Sequence, residues 1–283
     1  MYGNGAKKRC AETHFDTSNR EQGIIMKRFH LTTKRLAAAA AGLALMSVFA
    51  FAQIQEAAHG HFERAKQMTA EGKLQDAVVE YRKAIDSRNG NFAEARNNLG
   101  MVLGMLGDMQ AAIRELKIAI EQNSEYAEAH YNLGVAYSLT DNFEGAEREL
   151  LIAIKQKPGE FPEAHGNLGI LYANRGETAR AITEFKIAVE QAEGIYPEAH
   201  YNLGIALFTT GKVEASVEEF KDAIEQSERF PEAHYNLAIA LARLGRNEDA
   251  ASAFESYLKA AVDPKDGEEV RSRISELRRA AGR

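Results

Sequence analysis

The chain has 283 residues, 45% of them apolar and 27% charged, with a formal net charge of −6. That apolar share supports a folded core and argues against a disordered chain, and the single cysteine, Cys10, excludes a disulfide framework or a cysteine zinc cluster. A negative balance repels phosphate backbones, so a nucleic-acid partner is not expected.

The first predicted element is a leader. Met26 opens MKRFHLTTKRLAAAAAGLALMSVFAFAQ, where Lys27, Arg28, Lys34 and Arg35 flank the start of an apolar run, Leu36–Phe51, broken weakly by Gly42 and Ser47. Ala50-Phe51-Ala52 then offers a small-x-small cleavage site before Gln53. These are the marks of a secretory signal peptide. Residues 26–52 are read as that signal, and residues 1–25 as an upstream extension from a start codon placed too early. The expected location is the periplasm or the exterior. The alternative is an uncleaved anchor in the inner membrane facing the periplasm, for which the run is short against a bilayer core of about 30 Å. Cys10 precedes the apolar run and is no lipoprotein cysteine. Removing residues 1–52 removes eight Lys+Arg and three Asp+Glu from totals of 35 and 41, which leaves a net charge of −11.

After a short lead-in, 53–57, the sequence repeats itself. Units aligned on Asn-Leu-Gly begin at Ala93, Ala127, Pro162, Pro197 and Pro231, at spacings of 34, 35, 35 and 34, and a weaker unit begins near Ala58. The resulting units are 58–92, 93–126, 127–161, 162–196, 197–230 and 231–264. A fixed period of this length signals a stack of supersecondary units. Each reads as two helices. In the first, positions 4, 7, 8 and 11 share a face at 3.6 residues per turn, as His200, Leu203, Gly204 and Leu207 do. A glycine turn follows at Gly72, Gly107, Gly176, Gly211 and Gly245, with Asp141-Asn142 in the third unit; these are the types that tolerate positive φ after a helix. The second helix sets small residues at positions 20 and 27 around a large one at 24, as in Ala112/Leu116/Ala119, Ala146/Leu150/Ala153 and Ala181/Phe185/Ala188. Small residues let helices approach, and the large one fills the gap. Pro162, Pro197 and Pro231 open their helices, where a missing N–H costs nothing.

The NLG triplets, the glycine turn, the Ala-x₃-(Phe/Leu/Tyr)-x₂-Ala spacing and Pro158 resemble the tetratricopeptide repeat family. The resemblance implies an all-α, right-handed solenoid of about six helix-turn-helix repeats whose first helices line a concave groove. This chain departs from the family in carrying His or Arg at position 4, where a large aromatic is usual. Residues 265–283 carry an apolar stripe, Val270, Ile274 and Leu277, and are read as a capping helix, which an open solenoid end requires. Phe92, Tyr126, Phe161, Tyr196 and Phe230, each just before a first helix, are read as hydrophobic staples.

The groove stripe is the candidate site. At about 100° per residue, positions 2, 6, 9 and 13 lie opposite the His/Leu seam. Position 6 is Asn98, Asn132, Asn167, Asn202 and Asn236; position 2 includes Glu128, Glu163, Glu198 and Glu232; position 9 includes Met101, Val135, Ile170, Ile205 and Ile239; and Tyr131, Tyr201 and Tyr235 at position 5 stand beside them. An apolar row between carboxylates and amides suits an extended peptide, and amides can pair with both C=O and N–H of its backbone. Asn ladders are used in this way within the family. The competing reading is that each Asn bonds the neighbouring unit's backbone. The family's basic clamp for acidic peptide ends is not matched, because Glu and aliphatic residues stand there. The partner is expected to be basic or neutral.

Five histidines recur at position 4: His61, His130, His165, His200 and His234. Equivalent positions in stacked helices lie about 8–10 Å apart, too far for one ion with ligands at about 2 Å, so no metal site is expected. They are read as packing at the seam. A pH-sensing role would have their protonation weaken the stack as pH falls. No nucleophile with a placed base and no phosphate loop is present, and no cofactor is expected. The chain is therefore read as a non-enzymatic scaffold of the bacterial envelope that binds a peptide or partner segment in its groove. Alternatives are an assembly module acting through its ends or convex face, and an acid-responsive holdase.

Overall fold

The computed structural model describes the backbone of residues 6–282 and the side chains of Lys34 and of residues 39–282. The side chains of Cys10, Lys27, Arg28 and Arg35, and those of the whole stretch read as an upstream extension, lie outside the described residues. Thirteen helices and no strand are present among the described residues. The first, α1 (Ala6–Ala70), runs unbroken through Ala52 and Gln53. Its part from Ala39 is long and apolar enough, by length and composition, to cross a membrane. Leu43, Leu45, Met46, Val48, Phe49 and Phe51 are 63–71% exposed, so no other element among the described residues covers this stretch. From Ala58 onward α1 becomes the first helix of a hairpin with α2 (Leu74–Ser87), burying Ala58, Phe62 and Ala65.

Five further hairpins follow: α3 (Ala93–Met105) with α4 (Met109–Gln122), α5 (Ala127–Ser138) with α6 (Phe143–Gln156), α7 (Pro162–Asn174) with α8 (Thr178–Gln191), α9 (Pro197–Thr209) with α10 (Val213–Gln226), and α11 (Pro231–Arg243) with α12 (Asn247–Ala260). Their turns need one residue in the left-handed region. Gly107 supplies φ 85, and where glycine is lacking Asp141 takes φ 58. Asp108 and Asn142 then cap the second helices by accepting from Ala111 N–H and Gly145 N–H at 3.0 and 3.1 Å.

Inside each hairpin the large residue at position 24 lies over the small one at position 8. A Cβ on Gly100, Gly134, Gly169 or Gly204 would stand 2.6–2.8 Å from Leu116, Leu150, Phe185 or Phe220. The glycine is therefore a packing choice: it exchanges helix propensity of about 1 kcal/mol for close approach around a buried ring. Burying one such side chain contributes about 1.5–3 kcal/mol. The core runs on through the units and ends at α13 (Gly267–Ala281), whose Val270 and Ile274 are buried against the last hairpin.

Candidate functional site

First helices of successive units touch directly, α3 with α5, α5 with α7, α7 with α9 and α9 with α11, whereas second helices pack chiefly on the first helices before and after them. The first helices therefore line the shorter, inner arc. Along it the position-9 residues form a partly exposed apolar row: Met101 and Ile170 are 40% and 38% exposed, and Val135, Ile205 and Ile239 are half-buried. Between α3 and α5 the row opens into a cavity of about 270 Å³ walled by Met101, Met105, Met109, Val135 and Leu139, with Asn132 at its side. Met105, Met109 and Leu139 were not among the expected site residues. Met105 and Leu139 occupy position 13 of the same stripe, so the periodicity that exposed position 9 could have found them.

Asn132, Asn167 and Asn236 are tied to the preceding unit through its side chains rather than through the backbone expected of a structural ladder. Asn167 Nδ2 donates to Tyr131 Oη at 2.9 Å and to Glu163 C=O at 3.0 Å, and Asn236 does the same with Tyr201 Oη and Glu232 C=O, both at 3.1 Å. Asn132 Nδ2 donates to Asn97 Oδ1 at 2.9 Å, and Asn97 in turn to Asn98 at 3.1 Å. With both N–H groups engaged, Asn167 and Asn236 offer a ligand only their carbonyl oxygens. That corrects the expectation of two-way pairing: these rungs can hold a peptide's N–H groups but not its C=O. Asn202, whose partner position is Gly166, makes no side-chain hydrogen bond among the described residues.

The residue before each first helix explains that gap. These aromatics are not staples within their own helix. Each serves as its N-cap residue, and where ring contacts are formed they are with position 5 of the preceding unit. Phe92 meets Phe62, Phe161 meets Tyr131 and Phe230 meets Tyr201, at ring-centroid distances of 5.1, 5.1 and 4.9 Å. Where position 5 is Gly166, the aromatic is Tyr196, whose hydroxyl comes to 3.1 Å of the place a Cβ would take. A ring from the next unit thus fills the space a missing ring leaves. Burial first, then the Tyr131 phenol and the Glu163 and Glu198 charges, push the Tyr196 phenol up to about 12.

Of the groove carboxylates, Glu128 is paired with Lys157, while Glu163, Glu198 and Glu232 are exposed. Burial and then the charge of Glu232 raise the Tyr201 phenol above its ordinary value.

The histidines sit at the seam as expected, with His130, His165 and His200 buried there, but they also do something an aromatic could not. Each from the first to the fifth unit, Arg96 included, binds a glutamate nineteen residues on: His61–Glu80, His130–Glu149, His165–Glu184 and His200–Glu219, all with Nδ1···Oε2 of 2.7 Å, and Arg96–Glu115. The sixth unit has Ala253 in place of the glutamate, and His234 keeps only a bond to Glu228 C=O at 3.2 Å. In His200 the Nδ1 partner is the Glu219 carboxylate at 2.7 Å and the Nε2 partner is Gly194 C=O, 3.1 Å away; both are acceptors, so the protonated ring, which donates from both nitrogens, satisfies the pair fully. The hydrogen bond to Glu219, opposed by burial, raises the His200 pKa. This reverses the expected sign of pH sensing, because protonation of His200 strengthens the hairpin, and it removes that residue's support for an acid-responsive holdase. His200, Glu219 and Asp222 bring ligand atoms within 4.8 Å of one another, but both ring nitrogens of His200 are already engaged within the fold.

A capped stack of helix hairpins with a partly exposed apolar stripe on its first helices defines a helical-repeat solenoid. Tetratricopeptide repeat models match residues 140–200, 167–229 and 201–264, and a further TPR repeat model matches 105–141. Together these span more than half of the chain, which belongs to the tetratricopeptide repeat proteins. No curated protein matches it. Among solved structures it is similar to pilF of Pseudomonas aeruginosa, at 17% identity and a TM-score of 0.68 over 78% of this chain and 99% of that one. It is also similar to YrrB, described as a TPR protein with an unusual peptide-binding site, at 21% identity and 0.54 over 68% and 97%. MamA matches at 27% identity and 0.51 over 58% and 95%. These likenesses show the fold.

Proposed function

We propose that the chain is a non-enzymatic scaffold of the bacterial cell envelope that holds an extended segment of a partner protein along its inner face. The observation that carries this reading is the apolar row from Met101 to Ile239, open to solvent between Asn carbonyls and carboxylates and deepened into the cavity between α3 and α5. Thioether side chains adapt to apolar groups of different shape, and the row's length suits a chain rather than a small molecule. YrrB illustrates that this fold can house a peptide site. Action through a stacked C-terminal end is less favoured, because α13 covers that end. Export rests on the sequence of 26–52 and on the bare apolar face of α1.

The test is a peptide array probed with the full chain and with Val135→Asp/Leu139→Asp. Peptides centred on Leu, Met or Phe should bind the parent and lose at least about tenfold in the variant, since each well-buried apolar side chain contributes about 1.5–3 kcal/mol. Equal binding by a variant of unchanged helicity would refute the groove. Sequencing the N-terminus of the exported protein checks the leader: a start at Gln53 supports it, and retention of Met26 refutes cleavage.

A further inference from the structure

The C-terminal end of the inner face differs from the rest. A cavity of about 420 Å³ is lined by Tyr201, Tyr235 and Tyr257, by Glu232, Asn236 and Asp266, and by residues of the α12–α13 connection. No Lys or Arg lines it. Tyr235 and Tyr257 meet edge to face with centroids 5.2 Å apart, and Tyr201 is backed by Phe230 at 4.9 Å, so all three rings are held by neighbours. Tyr257 Oη donates to Asp266 Oδ1 at 2.7 Å. That bond fixes a carboxylate at the wall and pushes the Tyr257 phenol up to about 12, Asp266 being the first cause and burial the second. It also moves electron density from the hydroxyl into the ring. The hydroxyl of Tyr201 accepts from Asn236, which leaves its own proton free to donate.

Three electron-rich rings with two carboxylates and no basic residue form a cavity for a cation. Ring faces attract ammonium and guanidinium groups through their quadrupole. An anion would face Glu232 and Asp266 at close range, and a purely apolar group would desolvate both without a partner. We propose that this cavity takes an arginine or lysine side chain of the segment bound in the groove. The charged head lies among the tyrosines and the stem lies toward Val262, which is 97% exposed on the α12–α13 connection. The proposal rests on the groove reading and adds a residue class at one end of it: apolar near α3–α5, cationic near α11–α13.

The experiment titrates the full chain with N-acetyl-arginine amide and with its neutral isostere, N-acetyl-citrulline amide, while tyrosine ring resonances are followed by NMR. Arginine amide should shift Tyr201, Tyr235 and Tyr257, and citrulline amide should bind about tenfold more weakly. Glu232→Gln, at an exposed position whose side chain makes no hydrogen bond or ion pair among the described residues, should weaken arginine binding several-fold; Tyr257→Leu should abolish it. Equal shifts from the two probes, shifts spread over the acidic surface, or an unaltered response in Glu232→Gln would overturn the site. A failure here together with apolar peptides bound at α3–α5 removes the cation site alone. A failure at both removes the groove reading with it.

Discussion

Replacing His130 by Phe tests whether the recurring histidine is a packing residue or half of an interhelix bridge. The ring is 6% exposed and makes two hydrogen bonds, Nδ1 with Glu149 Oε2 at 2.7 Å and Nε2 with Ser124 C=O at 3.2 Å. A hydrogen bond to a charged group contributes about 1.5–3 kcal/mol and a neutral one about 0.5–1.5. Glu149, 8% exposed, would keep Arg148 on its other oxygen at 3.2 Å but lose the partner of Oε2. Phe fills the space at least as well as His, so the expected cost is about 2–4 kcal/mol. His234→Phe is the internal control. With Ala253 across from it and one bond at 3.2 Å, it should cost no more than about 1 kcal/mol. Urea denaturation followed by helical circular dichroism measures both. A cycle with Glu149→Leu should return a coupling of about 2 kcal/mol. Equal costs at the two sites, or no coupling, would show that ring packing alone explains the histidines.

Because Glu219 raises the His200 pKa, with burial opposing and Gly194 C=O and Asp222 adding to the rise, the stability from that bridge is complete below the unfolded value of 6.5 and fades as pH climbs through the higher folded value. The melting temperature should fall as pH rises above neutrality, and His200→Gln should flatten that slope; a fall on acidification through the same range would refute it. Gly204→Ala places a Cβ 2.6 Å from the Phe220 ring and should cost about 1–3 kcal/mol. Part of this should return in Gly204→Ala/Phe220→Leu, and denaturation midpoints that show no rescue would locate the strain elsewhere. Ile274→Ala, at a side chain 7% exposed on the buried face of α13, should cost about 2–4 kcal/mol and open the exposed Arg271 and Arg273 to trypsin before the rest of the stack; unchanged cleavage kinetics would mean that α13 is not held by that contact.

Much of this architecture is local in origin and was legible for that reason. The 34–35-residue period, the alternation of small and large residues in the second helices and the left-handed turn at Asp141 each depend on neighbours within one hairpin. The inner stripe, too, followed from helical periodicity, and its extension to Met105 and Leu139 needed only one more turn of the same pattern. The His–Glu bridges left a trace, a glutamate nineteen residues after each of four histidines and after Arg96. That spacing acquires meaning only when two helices fold back on each other, and without the hairpin the histidine read as a small aromatic.

Other features belong to tertiary structure because they join residues from different units. Gly166 and Tyr196 are unremarkable apart; stacking makes one the space for the other. Asn167 and Asn236 each spend one amide proton on a tyrosine from the preceding unit and the other on a carbonyl of their own helix, and the first of these is set by how far each unit is offset from the last. The tyrosine and carboxylate cavity depends on the α12–α13 connection turning Asp266 onto Tyr257. The sequence by itself determined the repeat, the helices and the face they turn inward, because those follow from spacing along one chain. Which polar groups on that face remain free for a partner was decided only by packing, since a donor's availability depends on what the neighbouring unit has already taken.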